Sequence, residues 1–242
     1  FTIDEEIEGK KQLEKLGIKE GSKFVCLTCR DSKYLEKQMP SVNWQYHEYR
    51  NCDIDGFRDA ADYLASKNIY TVRMGKVVEK EFNLNSDYVI DYANSPFKSD
   101  FMDVYLGAKC DFCITTQTGF DGIPHIFRKP LATITMPLGD GRVSYSKSLF
   151  ITKHHICSKS KKELTLKEIF ERGLGFSHQT SEYENCNVFL KDPTSEEIKH
   201  LVCETLDLIN SNKGFEFEFA YSTDLSTLIG MNLNFNFTYL KN

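Results

Sequence analysis

A short apolar run that leads straight into a hydroxyl-rich turn is the feature that most constrains the fold of this chain. Residues 111–115 have the composition of a buried strand, and the turn TTQTG at 115–119 follows without a spacer. A helix is expected over 119–127, ahead of the Lys-Pro break at 129–130. A strand, a small polar turn and a helix in this order are typical of α/β proteins that bind phosphate or other anions.

The rest of the chain repeats the alternation of strands and helices. Segment 31–51 is expected to be a long loop, 182–187 a loop, 188–190 a short extended piece and 215–219 a strand. The other predicted strands are 23–30, 69–74, 88–92, 131–136 and 149–151, and the other predicted helices are 4–16, 53–67, one starting at 99–100, 164–173 and 194–210. Strands and helices at this spacing predict an α/β fold with a parallel sheet covered on both faces.

Composition limits the classes of function. The 242 residues suit one large domain or two small ones, and a hydrophobic content of 40% allows a real core. The net charge of −5 argues against general affinity for nucleic acid or anionic membranes. No apolar run is long enough to predict a transmembrane segment, and no signal peptide is recognised. The chain begins with Phe rather than Met, so a fragment is one interpretation.

Eight cysteines raise the question of a metal site or disulfides. The Cys-x-x-Cys pairs at 26–29 and 110–113 have zinc-like spacing. Residues three apart in a strand point to opposite faces, however, which places Cys26 and Cys29 badly for one metal. We therefore predict no metal site and reduced thiols, as in a cytoplasmic protein.

Polar groups cluster at the predicted ends of the strands. Arg30-Asp31 follows the first strand, Arg73-Met74-Gly75 the second, residues 91–95 the third and residues 115–119 the fourth. Because ligands of such sheets bind beyond the carboxyl ends of the strands, two arginines and a hydroxyl-rich turn there would suit a diphosphate. An arginine after a strand can equally be a surface or salt-bridge residue, so both interpretations stay open.

The loop 46–51 is dense in functional side chains. His47 could act as a general base because its ordinary pKa lies near neutrality, or could be a loop histidine without a catalytic role. Asp100 and Asp103 could form a carboxylate pair or a helix cap with a solvated face. Asp121 has the simple interpretation of an acid near a helix start, and the histidines at 154–155 that of an exposed strand end. Neither G-x-G-x-x-G nor G-x-x-x-x-G-K-[ST] is present, which disfavours dehydrogenases and P-loop NTPases.

Several of these segments, taken in order, resemble a little-characterised bacterial family of glycosyltransferases. They are FVCLTCRDSKYL, YHEYRNCDIDGF, YTVRMGKVV, IDYANSPFKSDFMDVYLGAKCDFCITTQTG and IPHIFRKP. The resemblance is dense over 16–156 and returns faintly over 228–240. The strand–turn–helix block also looks like the C-terminal, donor-binding domain of GT-B glycosyltransferases. The chain departs from the family pattern at Thr28, where a histidine is usual, and at Gln117-Thr118, where the turn is usually rich in Gly and Ser.

The resemblance implies a single Rossmann-like nucleotide-sugar-binding domain over 1–242, with a core at 16–156 and helical decoration at 157–242. It implies no cofactor besides a nucleotide-diphosphate sugar as donor, with arginines rather than a metal at the diphosphate. The residues and the resemblance together predict catalytic roles for Arg30, Asp31 and His47, and donor binding by Arg30, Arg50, Arg73, Met74, Gly75, Ser99, Asp100, Thr116, Gln117, Thr118 and Gly119.

Three hypotheses of function follow. The first is a metal-independent glycosyltransferase that moves a sugar to a glycan or lipid-linked acceptor for surface polysaccharide. It would be cytoplasmic, peripheral at the inner membrane, and completed by an N-terminal domain or a partner chain. The second is a non-catalytic nucleotide- or carbohydrate-binding module, one half of a split enzyme. The third is another α/β enzyme, such as a phosphate-handling hydrolase.

Overall fold

Six parallel strands form the central sheet of the protein, which a computed structural model describes over residues 1–141 and 147–211. The strands are β1 (Phe24–Thr28), β2 (Tyr70–Arg73), β3 (Val89–Ile90), β4 (Cys113–Thr115), β5 (Leu131–Thr135) and β6 (Leu149–Thr152). Their spatial order is β3-β2-β1-β4-β5-β6, and every neighbouring pair is parallel. This is the strand order of the Rossmann fold, so the predicted parallel, Rossmann-like α/β fold is confirmed.

Helices and a second small sheet complete the described part of the chain. The small sheet pairs β7 (His154–Cys157) with β8 (Val188–Lys191) in antiparallel fashion. The α-helices are α1 (Ile3–Lys15), α2 (Lys33–Gln38), α3 (Arg58–Ser66), α4 (Asp100–Lys109), α5 (Gly122–Ile126), α6 (Leu166–Glu171), α7 (Thr180–Asn185) and α8 (Ser195–Asn210). The predicted capping box of α8 is confirmed: the Thr194 hydroxyl accepts from Glu197 N at 3.3 Å, and the Glu197 carboxylate accepts from Thr194 N at 2.7 Å.

The sheet is buried on both faces because alternate side chains of each strand enter different cores. Val25 and Leu27 pack with helices α3 and α8 on one face. Phe24 and Cys26 pack with α1 and α4 on the other. Cys29 lies against the first core and Cys26 within the second, which confirms that these two cysteines face opposite ways. Helix α8 therefore covers the main sheet, although the sequence indicates only decoration after residue 156.

Three local predictions are wrong. Segment 31–51 is not one long loop, because it contains α2 and a 3-10 helix over Gln45–Arg50. The predicted loop 182–187 is largely α7, whose start is capped by Gln179 and Glu182. His155 is not at an exposed strand end: it lies inside β7 and is 1% exposed, because its imidazole ring packs beside Tyr183. Short helices escape sequence periodicity because they complete fewer than two turns.

The strand predicted over 215–219 lies outside the described residues. Over 1–141 and 147–211, none of the helices combines the length and the apolar character that crossing a bilayer requires.

Candidate functional site

The site is built where β1 and β4 end side by side. The chain leaves β1 toward β2 on one side of the sheet and leaves β4 toward β5 on the other. The loops that follow these two strands therefore diverge, and a crevice opens beyond their carboxyl ends. Residues 28–31 and 115–119 line this switch point. Of the four strand ends at which the sequence predicts polar groups for a ligand, two thus adjoin each other here.

Hydroxyl groups join the two strand ends. The Thr28 hydroxyl donates to Thr115 Oγ1 at 3.0 Å, and the backbone N–H of Arg30 donates to Thr116 Oγ1 at 2.7 Å. Thr115 Oγ1 also accepts from Gln117 N at 3.0 Å. All three threonines are buried. The hydroxyl-rich turn is thus fixed to β1 by side chains, which favours one rigid shape over many.

Asp121 completes this network from the start of the following helical segment. Its carboxylate oxygen Oδ1 accepts from Thr115 Oγ1 at 2.5 Å and from Thr118 Oγ1 at 3.1 Å. Burial raises the pKa of Asp121 to about 6, although the threonine hydroxyls and nearby Arg50 favour the ionised form. The simple interpretation of Asp121 as an acid near a helix start misses this role. The sequence signal for this role is a pair of threonines, Thr118 and Thr115, that lie three and six residues before Asp121.

Arg30 and Arg50 both lie at the crevice, and neither forms an ion pair with a residue of the described ranges. Arg50 donates from Nη2 to the backbone carbonyl of Gln117 at 2.5 Å, which brings the 45–50 segment onto the turn. Burial and the charge of Arg50 lower the pKa of Arg30 below its ordinary value. Within 1–141 and 147–211, neither guanidinium forms an ion pair, and the Nε atoms of both are buried without a hydrogen-bond partner. Two adjacent cations with unused donors are suited to a multiply charged anion.

His47 lies beside this arginine pair. Burial first, and then the charges of Arg30 and Arg50, lower the pKa of the His47 imidazole below its usual value. The ring is therefore neutral at physiological pH, a form that can accept a proton. Its Nδ1 atom is buried and has no partner among the residues that the structure describes.

The turn also offers backbone donors. The N–H groups of Thr118 and Gly119 have no acceptor in the described part of the chain. Gly119 is exposed, and a Cβ atom added there would meet nothing within 4 Å. Gln117 differs from them because its side chain is occupied: Oε1 accepts from Met136 N at 2.8 Å, and Nε2 donates to the Asp140 carbonyl at 3.4 Å. Gln117 therefore ties the turn to the end of β5.

The remaining predicted residues lie beyond β2 and β3, in a different environment. Arg73 is 1% exposed and forms a buried ion pair with Asp91, Nη1 to Oδ1 at 3.2 Å. Met74 is buried and extends the ladder through its N–H to the Leu27 carbonyl at 2.8 Å. Gly75 adopts a φ of +155°, and a Cβ atom there would lie 2.5 Å from Val78. Arg73 therefore has an acidic partner, whereas Arg30 and Arg50 form no ion pair among the residues that the structure describes.

Ser99, Asp100 and Asp31 have local partners as well. Ser99 caps α4 by accepting from Met102 N at 3.2 Å, as the sequence predicts. Asp100 forms an exposed ion pair with Lys76 at 2.6 Å. Asp31 accepts from Lys33 N at 3.0 Å and from Glu79 N at 2.9 Å, so its carboxylate links the loop after β1 to the loop after β2.

Comparisons with known proteins add little to this geometry. No family model matches the sequence. No curated protein matches it either. Among solved structures, the crystal structure of the glycosyl transferase family 9 from Veillonella parvula DSM 2008 is similar over 86% of this chain and 53% of its own, with 10% identity and a TM-score of 0.48. This chain spans about half the length of that structure. Similarity at this level leaves the chemistry of the chain to be inferred from its own site.

Proposed function

We propose that this chain is the donor-binding part of a glycosyltransferase. It would move a sugar from a nucleotide-diphosphate donor to a surface-polysaccharide acceptor without a metal. The observation that carries the proposal is the pair of arginines, Arg30 and Arg50, that meet at the switch point without an acidic partner in the described residues. The sequence segments that resemble a glycosyltransferase family supply the reaction class.

The reaction requires positive charge beside the donor bond that breaks. The acceptor oxygen forms a bond to the anomeric carbon, the bond from that carbon to the phosphate oxygen breaks, and the nucleoside diphosphate leaves with the electron pair. Guanidinium groups at that diphosphate stabilise the developing charge in place of a metal ion. The N–H groups of Thr118 and Gly119 add donors that need no side-chain movement. Thr116 and Gln117 hold the turn in place.

The proton of the acceptor hydroxyl needs a base. His47 is suitable because its pKa is lowered, so the neutral imidazole is present at pH 7. Asp31 is less suitable, because both of its carboxylate oxygens already accept backbone N–H groups. We assign Arg73, Met74 and Gly75 to the support of the sheet edge rather than to donor contact, since Arg73 is neutralised by Asp91.

The acceptor would be a glycan or a lipid-linked saccharide. GT-B enzymes, which the sequence resembles, hold the acceptor on an N-terminal domain, so a further domain or a partner chain is expected to complete the site. A cytoplasmic location, peripheral at the inner membrane, would give access to such acceptors.

One observation favours a second candidate, a non-catalytic nucleotide- or carbohydrate-binding module. The aspartates predicted at the site are both engaged, Asp31 by backbone N–H groups and Asp100 by Lys76, which leaves His47 as the proposed base. A chain that binds the donor but lacks an effective base would serve as one half of a split enzyme.

The experiment that tests the proposal measures binding and turnover separately. The protein is melted with UDP-, GDP-, ADP- and CMP-sugars, with and without EDTA, since a ligand that binds the native state raises the melting temperature. We expect at least one nucleotide sugar to raise the melting temperature, and to do so equally with and without EDTA. Hydrolysis or transfer of that sugar, lost in His47→Gln, supports the transferase, whereas stabilisation without turnover supports the binding module. No stabilisation by any donor contradicts both.

A further inference from the structure

Aromatic rings line the segment that carries Arg50. Trp44, Tyr46 and His47, here named the aromatic ledge, pack against one another. The ring centroids of Tyr46 and His47 are 4.1 Å apart, and those of Trp44 and Tyr46 are 5.9 Å apart at an interplanar angle of 28°. The Tyr46 side chain is 41% exposed. Tyrosine and tryptophan rings that are partly exposed offer a large, flat apolar contact area to a ligand.

The ledge is held rigidly from behind. The Trp44 indole N–H donates to the Met39 carbonyl at 3.2 Å. On the other side, the Thr180 hydroxyl donates to the Gln45 carbonyl at 2.9 Å and accepts from Tyr49 N at 3.2 Å. Tyr49 in turn stacks on Tyr183 with centroids 5.7 Å apart. A surface fixed in this way loses little conformational entropy when a ligand binds.

The ledge adjoins the arginine pair. His47 lies close enough to Arg30 and Arg50 for their charges to lower its pKa, and Tyr46 packs on the His47 ring. Flat π-faces thus lie beside two cations that have no ion-pair partner within the described ranges. A nucleoside diphosphate has these two parts, because its flat base is joined through a ribose to two phosphates.

We propose that the aromatic ledge stacks on the nucleobase of a nucleoside diphosphate whose phosphates contact Arg30 and Arg50. This inference rests on the proposed function and adds the subsite for the base. A sugar ring fits the ledge less well, because sugars need hydrogen-bond partners around their rim. The indole N–H of Trp44 is already engaged by Met39, so Trp44 offers only its ring. Aromatic stacking accepts any base, which predicts modest discrimination among the four nucleotides.

The sequence provides a direct reporter, because Trp44 is its only tryptophan. The protein is titrated with UDP, GDP, ADP and CDP, with inorganic pyrophosphate and with glucose 1-phosphate, and tryptophan fluorescence is recorded beside calorimetry. We expect the nucleoside diphosphates to change the fluorescence and to bind about tenfold more tightly than pyrophosphate, a difference of about 1.4 kcal/mol. Pyrophosphate is expected to bind without changing the fluorescence.

Variants separate stacking from folding. Trp44→Ala and Tyr46→Ala should each weaken nucleoside diphosphate binding about tenfold and leave pyrophosphate affinity within twofold, while Trp44→Phe should restore most of the loss. Tyr34→Ala, at a tyrosine that is 43% exposed on α2, is the matched control and should change neither affinity. Melting temperatures check that each variant is folded.

Other results would overturn the inference. Equal loss for pyrophosphate and nucleoside diphosphates in Trp44→Ala would show that the ledge acts only through the fold. A loss for glucose 1-phosphate as large as that for UDP would assign the ledge to the sugar. Nucleoside diphosphates that bind no better than pyrophosphate would remove the base subsite and leave the arginine pair intact. Absence of all anion binding would instead contradict the proposed function itself.

Discussion

The carboxyl edge of the sheet has two halves that look alike in sequence and differ in electrostatics. Beyond β2 and β3, Arg73 is neutralised by Asp91, and Lys76 is paired with Asp100. Beyond β1 and β4, Arg30 and Arg50 lie together with no acidic partner in the described residues. A paired cation stabilises the fold at its own position, whereas an unpaired one keeps its charge for a ligand. We therefore propose that the half beyond β2 and β3 is structural and that the half beyond β1 and β4 binds the ligand, and we call them the structural half and the binding half.

The strongest test of this comparison is to replace Arg73, the buried arginine of the structural half. Arg73→Ala leaves the Asp91 carboxylate without its cation, and we expect it to lower the free energy of unfolding by about 3–5 kcal/mol. Arg58→Ala, which breaks an exposed pair with Asp55, should cost less than about 1 kcal/mol. Urea denaturation followed by circular dichroism measures both.

The comparison predicts no loss of stability of this size when Arg30 or Arg50 of the binding half is replaced by alanine. If Arg73→Ala unfolds at the same urea concentration as the wild type and loses nucleotide affinity instead, Arg73 belongs to the ligand site and the division of the edge into two halves is wrong.

A smaller effect on stability is expected from Asp121, the buried acid of the binding half. The pKa of Asp121 in the folded protein, about 6, lies above the ordinary aspartate value of 3.8, so the folded protein binds more protons than the unfolded chain between these two pH values. The stability contributed by the protonated group is present below pH 4 and is lost as the pH rises through 6. We expect Asp121→Asn to gain about 2 kcal/mol relative to the wild type between pH 4.5 and pH 7 in urea denaturation.

The same substitution should affect the ligand. Removal of the Asp121 charge near Arg50 should tighten binding of a nucleotide sugar at pH 7, and should reduce the dependence of that binding on pH between 5 and 7. A nucleotide sugar is the suitable probe because its diphosphate carries no group that titrates in this range. Unchanged affinity and pH dependence in Asp121→Asn would place this acid outside the electrostatics of the crevice.

The smallest effect on stability is expected at His154, which pairs with two glutamates away from the carboxyl edge of the sheet. Partial burial of His154 opposes its protonation, but hydrogen bonds to Glu163 at 2.7 Å and Glu197 at 3.0 Å outweigh it, and the pKa is raised above 6.5. The stabilisation is therefore present below pH 6.5 and is lost as the pH rises through the raised pKa. His154→Gln should remove this small slope from the stability of the protein near neutral pH, without changing nucleotide affinity. A changed affinity would argue that pairing does not separate structure from binding.

The sequence predicts which residues lie at the carboxyl edge of the sheet, but not which of the arginines there are paired with an acid. The strand ends at Arg30, Arg73 and Thr116 are predictable because strand, turn and helix alternate with clear apolar periodicity. Whether each arginine is paired is not predictable, since that depends on residues which the sheet brings together. Asp91 meets Arg73 because β3 pairs with β2, and Arg50 meets the Gln117 carbonyl across 67 positions of sequence.

The network around Asp121 is a different case. Its partners lie only three and six positions away, so the information is local, but the bend of the turn decides whether the hydroxyls point at the carboxylate. The helix-start interpretation considered only the backbone dipole. Threonines at these spacings before an aspartate are a signal that sequence reasoning could use.

The most direct test of the account is a calorimetric titration of inorganic pyrophosphate and UDP into the wild type, Arg30→Ala, Arg50→Ala and the surface control Arg58→Ala. Because charge-assisted hydrogen bonds to the anion are lost, we predict that each of the first two variants binds both ligands about 30-fold more weakly, a loss of about 2 kcal/mol. Arg30→Ala should not melt at a lower temperature than the wild type, since it removes a repulsion between like charges. Arg50→Ala also loses the hydrogen bond to the Gln117 carbonyl, so its melting temperature should fall slightly while the protein stays folded. Unchanged affinity in both, with Arg58→Ala indistinguishable from them, would contradict the claim that the unpaired arginines form the anion site.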